Sequence, residues 1–292
     1  MNNNDIVGQQ TDAKQLLVRR IIAYTVLIFL VIISLLPFYL LLINATRGVS
    51  QIGIRWVPDK YLGKNFSNLF SGTTSVAFGN VFKSLINSLI ISASASLLSV
   101  YFSALTAYAV YVYDFKLRKI ADTFILLVMM VPTQASAIGF YRFMGDLGLT
   151  DTYIPLIVPA IAAPATYYFM KQYMQSSLPL EIVEASRIDG CGEFKTFNSI
   201  VAPILKPAYA VQMIFTFVTN WNNYFTPRLI LSEKAKYTVP LVLSAMRNSG
   251  PQEKDPGMFN LYIVIAILPV VIVYLCLSKF IIRGIALGSV KG

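Results

Sequence analysis

Six long apolar runs limit how this chain can fold. Shorter polar segments separate the runs, which lie near 21–44, 85–112, 120–141, 153–171, 207–228 and 259–280. A helix that crosses a bilayer needs about twenty predominantly apolar residues, and each run reaches or approaches that length. Only 13% of the 292 residues are charged and 56% are hydrophobic, whereas a soluble domain carries about 25% charged residues. The sequence therefore predicts an all-α polytopic membrane protein with six transmembrane helices.

The first run is predicted to be a retained transmembrane helix. Its apolar stretch exceeds the roughly 7–15 residues of a signal-peptide core, and no convincing small-x-small cleavage site follows it. The sequence then divides into an N-terminal tail over 1–20, a first helix over 21–45, an extracytoplasmic segment over 46–83, a core with helices two to six over 84–283 and a C-terminal tail over 284–292.

Loop charges predict the orientation. The short connection 114–119 carries three Lys or Arg residues, and short basic loops are typical of the cytoplasmic side. The connection around Arg142 carries one positive and two negative charges and suits the outer side. Both termini are therefore expected in the cytoplasm. The net charge of +10 is spread over several loops and tails, so it does not indicate a nucleic-acid-binding domain.

Between the fourth and fifth runs lies a charged segment, 179–203, here called the elbow, which predicts two short helices joined at a glycine. Pro179 is tolerated in a first helical turn, and Gly190 supplies the left-handed residue that ends a helix. Glu184 and Arg187 are three residues apart, a spacing that predicts a surface ion pair. The apolar residues of the first helix form one predicted stripe: Ile182, Ala185 and Ile188.

The second helix of the elbow is also predicted to be amphipathic. Its apolar residues are expected to share one face: Phe194, Phe197, Ile200 and Val201. An apolar face of this kind suits a cleft on another protein. The alternative is an amphipathic loop lying on the membrane surface.

Several classes of membrane protein are disfavoured by residues that the runs lack. The middles of the six runs contain no Asp, Glu, Lys or Arg, and the chain has no histidine. Intramembrane charges normally mark proton and ion pathways, so a proton-driven pump, a voltage sensor and a charge-selective channel are not expected. An intramembrane enzyme would need a histidine or an acid pair at membrane depth. Cys191 and Cys276 have no spacing that indicates a metal site or a disulfide, and no metal site is predicted.

The runs do contain neutral polar residues, through which a hydroxyl-rich solute could pass. The candidate pathway residues are Asn87, Gln134, Gln212, Asn220, Asn222 and Asn223. The alternative is that these side chains join helices, since interhelical hydrogen bonds and small residues drive packing in membranes. Packing is the expected role of a small-residue ridge in the second run, formed by Ala95, Ser99, Ser103 and Ala107.

The elbow closely resembles the EAA loop of permease subunits in ATP-binding-cassette importers. The family pattern is Glu-Ala-Ala-x-x-x-Gly, followed at a fixed distance by Ile-x-Leu-Pro. The matching residues at the family spacing are Glu184, Ala185, Gly190, Ile200 and Pro203. The chain departs from the pattern at Ser186 and Ala202, where the family has Ala and Leu.

Further resemblance extends over nearly the whole chain and points to carbohydrate importers. The segment 221–225, Trp-Asn-Asn-Tyr-Phe, resembles a family segment at the outer end of the fifth span, with Asn223 in place of an acid often found there. The C-terminal segment 280–292 resembles the tail of the maltose-type second permease, which commonly ends Gly-Ala-Val-Lys-Gly.

The resemblance implies a division of labour among subunits. The chain has no Gly-x-x-x-x-Gly-Lys-Ser/Thr loop to bind phosphates, so it is expected to be a transport subunit, not an enzyme, without a cofactor of its own. ATP and Mg would be bound by two partner ATPase subunits, and the cytoplasmic elbow between helices four and five would seat in them. The residues implied in that contact are Glu184, Ala185, Ser186, Ile188, Asp189, Gly190 and Phe194.

The other implied partners are a second, homologous permease, which would form a heterodimer with this chain, an extracytoplasmic solute-binding protein and the lipid bilayer of a bacterial cytoplasmic membrane. The outer segments 46–83 and 229–257 are candidates for docking the binding protein. The implied function is import of a carbohydrate, such as an oligosaccharide. The alternatives are a permease for glycerol-phosphate or another small polar solute and, in a different class, a stand-alone secondary carrier or channel.

Overall fold

A computed structural model describes residues 3–49, 56–250 and 255–288, with side chains described over 16–49, 56–250 and 255–281. Parts of both outer segments and the last residues of the C-terminal tail therefore lie outside the described residues. Every regular element in the described part of the chain is helical. In the first half these are α1 (Asn3–Ala45), α2 (Leu62–Leu69), α3 (Gly72–Phe78), α4 (Val81–Val112), α5 (Arg118–Val128), α6 (Ala137–Asp146), α7 (Ile154–Ile157) and a 3₁₀ turn (Val158–Ile161).

The second half continues with shorter helices around the elbow and a long final helix. They are α8 (Pro164–Ser177), α9 (Leu180–Ile188), α10 (Glu193–Lys195), a π-helical turn (Thr196–Val201), α11 (Ala202–Ile204), α12 (Lys206–Trp221), α13 (Phe225–Ile230), a 3₁₀ turn (Lys234–Lys236), α14 (Val239–Arg247) and α15 (Pro256–Gly288).

The chain forms two compact units, the smaller of which comprises 1–67 and 254–264. In this unit the Nδ2 atom of Asn65 donates to the backbone oxygens of Ala45, at 2.9 Å, and Arg47, at 2.7 Å. Gly257 lies so close to the Arg47 oxygen and the Asn65 amide that a Cβ atom would collide with both. The end of α1 and the start of α15 are thereby held against one buried amide.

In the larger unit, 68–253 with 265–292, α4 is the central helix and packs mainly against α8 and α12. The predicted small-residue ridge of α4 is confirmed, since all four of its residues are buried. The Ser99 hydroxyl donates to Thr166 at 3.4 Å, and the Ser103 hydroxyl donates to the backbone oxygen of Ala163 at 3.3 Å. The small side chains therefore let α8 approach α4 closely.

The prediction of six transmembrane helices is met only in part. By length and composition, three described helices could each cross a membrane alone: Leu16–Ala45, Val81–Val112 and Pro256–Ile281. The segments Glu193–Ile204 and Lys206–Trp221 would add a fourth if they count as one span, and they meet at a bend of 82°.

The third and fourth predicted runs are interrupted rather than continuous. Residues 129–136 separate α5 from α6 in the third run. In the fourth run, α7 passes into a 3₁₀ turn before α8 begins at Pro164. Pro132 and Pro159 lie within these interruptions, and proline removes a helical hydrogen bond and clashes with the preceding turn. Two apolar runs that read as single helices are thus each built from shorter pieces.

Candidate functional site

The first arm of the elbow is α9, which follows Pro179 and ends at a left-handed glycine. Gly190 has a φ of +77°, as the sequence predicts. The backbone N–H of Cys191 donates to the backbone oxygen of Ser186 at 3.0 Å and caps the end of the helix. This reversal turns the chain directly into the second arm.

The exposed surface of α9 carries apolar residues next to a polar one. Ile188 is 87% exposed, and Ile182 and Ala185 are also exposed. The predicted stripe therefore lies on the surface of the subunit. Glu184 is exposed beside it, and its side chain makes no ion pair or hydrogen bond with any residue that the structure describes.

The second arm differs from its prediction. Phe197 and Val201 are fully buried, whereas Phe194 is 73% exposed and Ile200 is half-buried. The prediction that these four residues share one face is wrong because 196–201 wind as a π-helix. That winding gives each turn more residues than an α-helix. The exposed Phe194 follows the turn that ends the first arm, and the buried pair anchors the second arm in the core.

Inside the elbow, two hydroxyl groups join the arms. The buried Ser186 hydroxyl donates to the Val183 oxygen at 2.7 Å, and it lies 3.1 Å from the buried Thr196 hydroxyl. Ser186 was predicted among the ATPase contacts, and the structure places its side chain between the two arms. Asp189 and Gly190 are exposed at the turn.

On the elbow's surface, an ion pair joins the same two arms. Arg187 Nε lies 2.8 Å from Glu193 Oε1, so the predicted pairing of Arg187 with Glu184 is wrong. The acid at the start of α10 takes its place, and this carboxylate raises the pKa of Arg187. The Tyr108 hydroxyl of α4 donates to Glu193 Oε2 at 3.2 Å, and the Arg187 guanidinium lies 5.3 Å from the centre of the Tyr113 ring.

Neither Glu193 nor Tyr108 was predicted from the sequence as a site residue. An acid at the first position of a helix, just after the glycine turn, was the available signal. The partner on α4 is 85 residues away in the sequence and was not accessible to a reading of local pattern.

A second feature of the larger unit is a cavity of about 290 Å³. Of the predicted pathway residues, it brings together Asn220 and Asn223. The described residues that line it are Thr133, Ser136, Ala137, Phe140, Pro155, Leu156, Pro159, Ala160, Asn220, Asn223, Phe225, Thr226 and Leu229. The hydroxyl and aromatic members of this set were missed by the sequence analysis, although the prolines of the third and fourth runs mark two of the segments that form it.

The other predicted pathway residues lie elsewhere. Gln134 is exposed next to the cavity-lining Thr133, Asn222 is exposed, and Gln212 is buried within α12. Asn87 lies near the start of α4, where its Nδ2 atom donates to the backbone oxygens of Ala235 at 3.1 Å and Tyr237 at 3.0 Å. Its amide holds the chain between α13 and α14.

The same part of the outer segment 229–257 is held by a charge cluster around Asp151. Asp151 has a positive φ of 57°, and its Oδ1 atom accepts from the backbone N–H groups of Ser232 at 2.9 Å and Glu233 at 3.1 Å. Its Oδ2 atom lies 2.8 Å from Lys236 Nζ. Hydrogen bonding from Lys236, more than from the two backbone groups, holds the pKa of Asp151 below its usual value.

Comparison with known proteins identifies the family. Residues 99–286 match the family model described as the binding-protein-dependent transport system inner membrane component. This match includes the elbow and the cavity.

Three relatives of known function are similar over nearly the full chain. The arabinooligosaccharides transport system permease protein AraQ of Bacillus subtilis is 33% identical over 91% of this chain and 94% of its own. The melibiose/raffinose/stachyose import permease protein MelC of the same organism is 31% identical over 88% of this chain and 91% of its own. The sn-glycerol-3-phosphate permease UgpE of Yersinia pestis is 29% identical over 91% of this chain and 95% of its own.

A solved structure shares the fold. A chain from a bacterial ABC transporter involved in the import of the acidic polysaccharide alginate superposes with a TM-score of 0.76, at 20% sequence identity, over 90% of this chain and 96% of that chain. The family match, the relatives and the shared fold agree, and the chain belongs to the inner membrane components of binding-protein-dependent transport systems.

Proposed function

We propose that this protein is a permease subunit of an ATP-driven importer that takes up a neutral oligosaccharide delivered by an extracytoplasmic binding protein. It forms half of the translocation path, and a second, homologous permease forms the other half. Two relatives named for oligosaccharide import support the substrate class. In this arrangement the six apolar runs cross the cytoplasmic membrane and both termini face the cytoplasm.

The observation that carries the proposal is the exposed apolar surface of the elbow. Ile188 lies before the glycine turn and Phe194 after it, and their side chains are 87% and 73% exposed. Glu184 is exposed on the first arm, which also carries Ile188. Large apolar side chains this exposed suit the core of a protein interface, and an acid without a partner among the described residues suits its polar rim. We assign this surface to the ATPase subunit, with Ile188 and Phe194 filling a cleft and Glu184 meeting a basic residue.

Ser186 and Gly190 support this contact by fixing the shape of the elbow. Ser186 joins the two arms, and Gly190 sets the angle between them. When the ATPase subunits close on ATP and Mg, the elbow moves as a unit and tilts the attached spans, which gives alternating access by domain rocking.

A second candidate function is uptake of a small anionic solute such as glycerol 3-phosphate. A relative with that name favours it. The cavity weighs against it, because none of the described residues that line it is Lys or Arg, and phosphate is commonly bound by charge-assisted hydrogen bonds from those side chains. A stand-alone carrier or channel would have no use for the elbow surface.

The test is ATP hydrolysis by the complete complex reconstituted in liposomes. The complex contains this chain, its partner permease, the ATPase subunits and the cognate binding protein. It is assayed with arabinotriose, raffinose, melibiose and sn-glycerol 3-phosphate. We expect a neutral sugar on the binding protein to stimulate hydrolysis. Stimulation by glycerol 3-phosphate alone would favour the second candidate, and solute passage through the chain by itself, without any ATPase, would favour the carrier class.

The same assay tests the elbow through Glu184→Ala, with Glu181→Ala as the matched control on α9. Both residues are exposed acids on one short helix, but only Glu184 lies in the predicted contact. We expect Glu184→Ala to abolish stimulation or release the ATPase subunits, whereas Glu181→Ala leaves both unchanged. Equal behaviour of the two variants would contradict the role of Glu184.

A further inference from the structure

The cavity forms where three interrupted segments of the larger unit meet. Thr133 and Ser136 come from the break between α5 and α6, and Pro159 comes from the 3₁₀ turn after α7. Asn220 and Asn223 come from the end of α12 and the break that follows it. Non-helical backbone at membrane depth is tolerated where it is buried in protein or lines a cavity. Transporters place solute sites at such discontinuities.

Three side-chain oxygens of the lining accept no hydrogen bond from the described residues, whereas Asn223 and Thr226 are hydrogen-bonded to each other. The Asn220 Nδ2 atom donates to the Thr216 oxygen at 2.8 Å, while its Oδ1 atom accepts no hydrogen bond from any described residue. The Ser136 hydroxyl donates to the Thr133 oxygen at 3.1 Å, and the Thr133 hydroxyl donates to Gln134 at 3.3 Å. Each hydroxyl proton is therefore used locally, and the oxygen lone pairs remain available.

Apart from Asn223 and Thr226, the other described residues of the lining are apolar. Phe140 and Phe225 supply aromatic surface, and prolines supply rigid wall. Small-molecule sites have this composition, with mostly apolar walls and a few placed polar groups. A ligand that fits it is neutral, offers O–H donors on one side and presents an apolar face on the other.

We propose that this cavity is a subsite for one neutral sugar ring on the translocation path. In it the ring hydroxyls donate to Asn220 Oδ1 and to the oxygens of Thr133 and Ser136, and the ring face lies against Phe140 or Phe225. The volume of about 290 Å³ is at the lower end of the roughly 300–1,000 Å³ of small-molecule sites, which suits one ring rather than a whole oligosaccharide. This subsite rests on the proposed function and narrows it to a neutral substrate.

The test compares Asn220→Ala with Thr219→Ala in the reconstituted complex. Thr219 is the preceding residue of α12, is exposed and does not line the cavity. The measurement is tritiated raffinose or arabinotriose taken up per ATP hydrolysed, at saturating loaded binding protein. We expect Asn220→Ala to lower this ratio about tenfold, which is the effect of one lost hydrogen bond. Stimulated ATP hydrolysis stays unchanged because docking and the elbow are untouched, and Thr219→Ala keeps the native ratio.

Ala160→Trp provides an independent test, since it fills the cavity without removing a polar group. We expect it to stop uptake while loaded binding protein still stimulates hydrolysis. Native uptake per ATP in both Asn220→Ala and Ala160→Trp would overturn the subsite and leave the importer function standing. If no neutral sugar stimulates the native complex, the proposed function fails and the subsite falls with it. If the complex with Ala160→Trp does not assemble, the subsite is tested by sugar uptake per ATP alone, and a native value in Asn220→Ala, equal to that in Thr219→Ala, overturns it.

Discussion

At the scale of single residues, two glycines of the elbow separate the effect of backbone conformation from the effect of steric crowding at Cβ. Gly190 and Gly192 both face open space, since a Cβ atom added at either position meets nothing within 4 Å. Only Gly190 has a positive φ, at +77°, whereas Gly192 has a φ of −67°. Any difference between their alanine variants therefore reports the backbone alone.

We expect Gly190→Ala to destabilise the elbow by about 1–2 kcal/mol, the cost of holding an L-residue in the left-handed region. Gly192→Ala is expected to be close to neutral. The measurement is the rate at which trypsin cleaves the permease at Arg187 and Lys195 after the ATPase subunits, which would cover the elbow, have been removed. Faster cleavage in Gly190→Ala alone is the expected result, and equal rates in both variants would show that the turn tolerates an L-residue.

At the scale of elements, the Glu193 carboxylate is one of the links between the elbow and α4. Glu193 receives Arg187 from α9 and Tyr108 from α4. An exposed ion pair contributes little by itself, roughly 0.2–1 kcal/mol, but this carboxylate also accepts a hydrogen bond from a different helix. Its loss would loosen the elbow from the span it is expected to move.

We expect Glu193→Ala to reduce uptake per ATP several-fold while the complex still assembles, because ATPase closure would move the elbow without moving α4 to the same extent. Lys195→Ala is the control, since Lys195 is an exposed residue of the same short helix and its side chain makes no hydrogen bond or ion pair with the described residues. Tyr108→Phe removes only the hydrogen bond from α4 and is expected to share part of the effect. Native coupling in Glu193→Ala would show that packing of Phe197 and Val201 is sufficient.

A second link between elements is formed by Asp151, which holds 232–236. The pKa of this carboxyl is lower in the folded protein than in the unfolded chain, mainly because of Lys236. Its contribution is therefore present above the usual Asp pKa of about 3.9 and is lost as the pH falls through the lower, folded value.

We expect pepsin to cleave 231–238 faster in Asp151→Asn than in the native complex at pH about 4, near the usual Asp pKa. The difference in cleavage rate between the variant and the native complex should become smaller as the pH falls further and the native Asp151 carboxyl is protonated. Asp146→Asn is the control, since Asp146 is exposed in the same connection and makes no side-chain hydrogen bond in the described structure. A native-to-variant ratio that does not change with pH would exclude titration of Asp151 as the cause.

At the scale of the whole molecule, local patterns predicted the elements better than the partners. The helical class, the turn at Gly190 and the buried ridge of α4 follow from period, spacing and side-chain size, and all three could be predicted. The partner of Arg187 could not, because two acids lie within reach and tertiary packing selects Glu193. The role of Asn87 likewise depends on a contact 148 residues away.

The interruptions in the third and fourth runs show a different limit. Hydropathy counts apolar residues and is blind to whether a helix is continuous, so 120–141 and 153–171 read as simple spans. Pro132 and Pro159 were visible signals, but a proline can also sit within an unbroken helix, as Pro37 and Pro269 do in α1 and α15. Only the packed structure separates the two cases, and the broken segments are the ones that form the cavity.

The elbow is fastened to α4 at more than one point, since the Tyr101 hydroxyl donates to Asn198 Oδ1 at 3.2 Å and the Tyr108 hydroxyl donates to Glu193 Oε2 at 3.2 Å. A body held at a single point can be pulled but is free to swivel, whereas separate attachments also fix its orientation. The elbow can therefore deliver torque to α4 as well as displacement. A small tilt imposed at one end of this 32-residue helix displaces its other end sideways. The length of α4 therefore sets how large that displacement is.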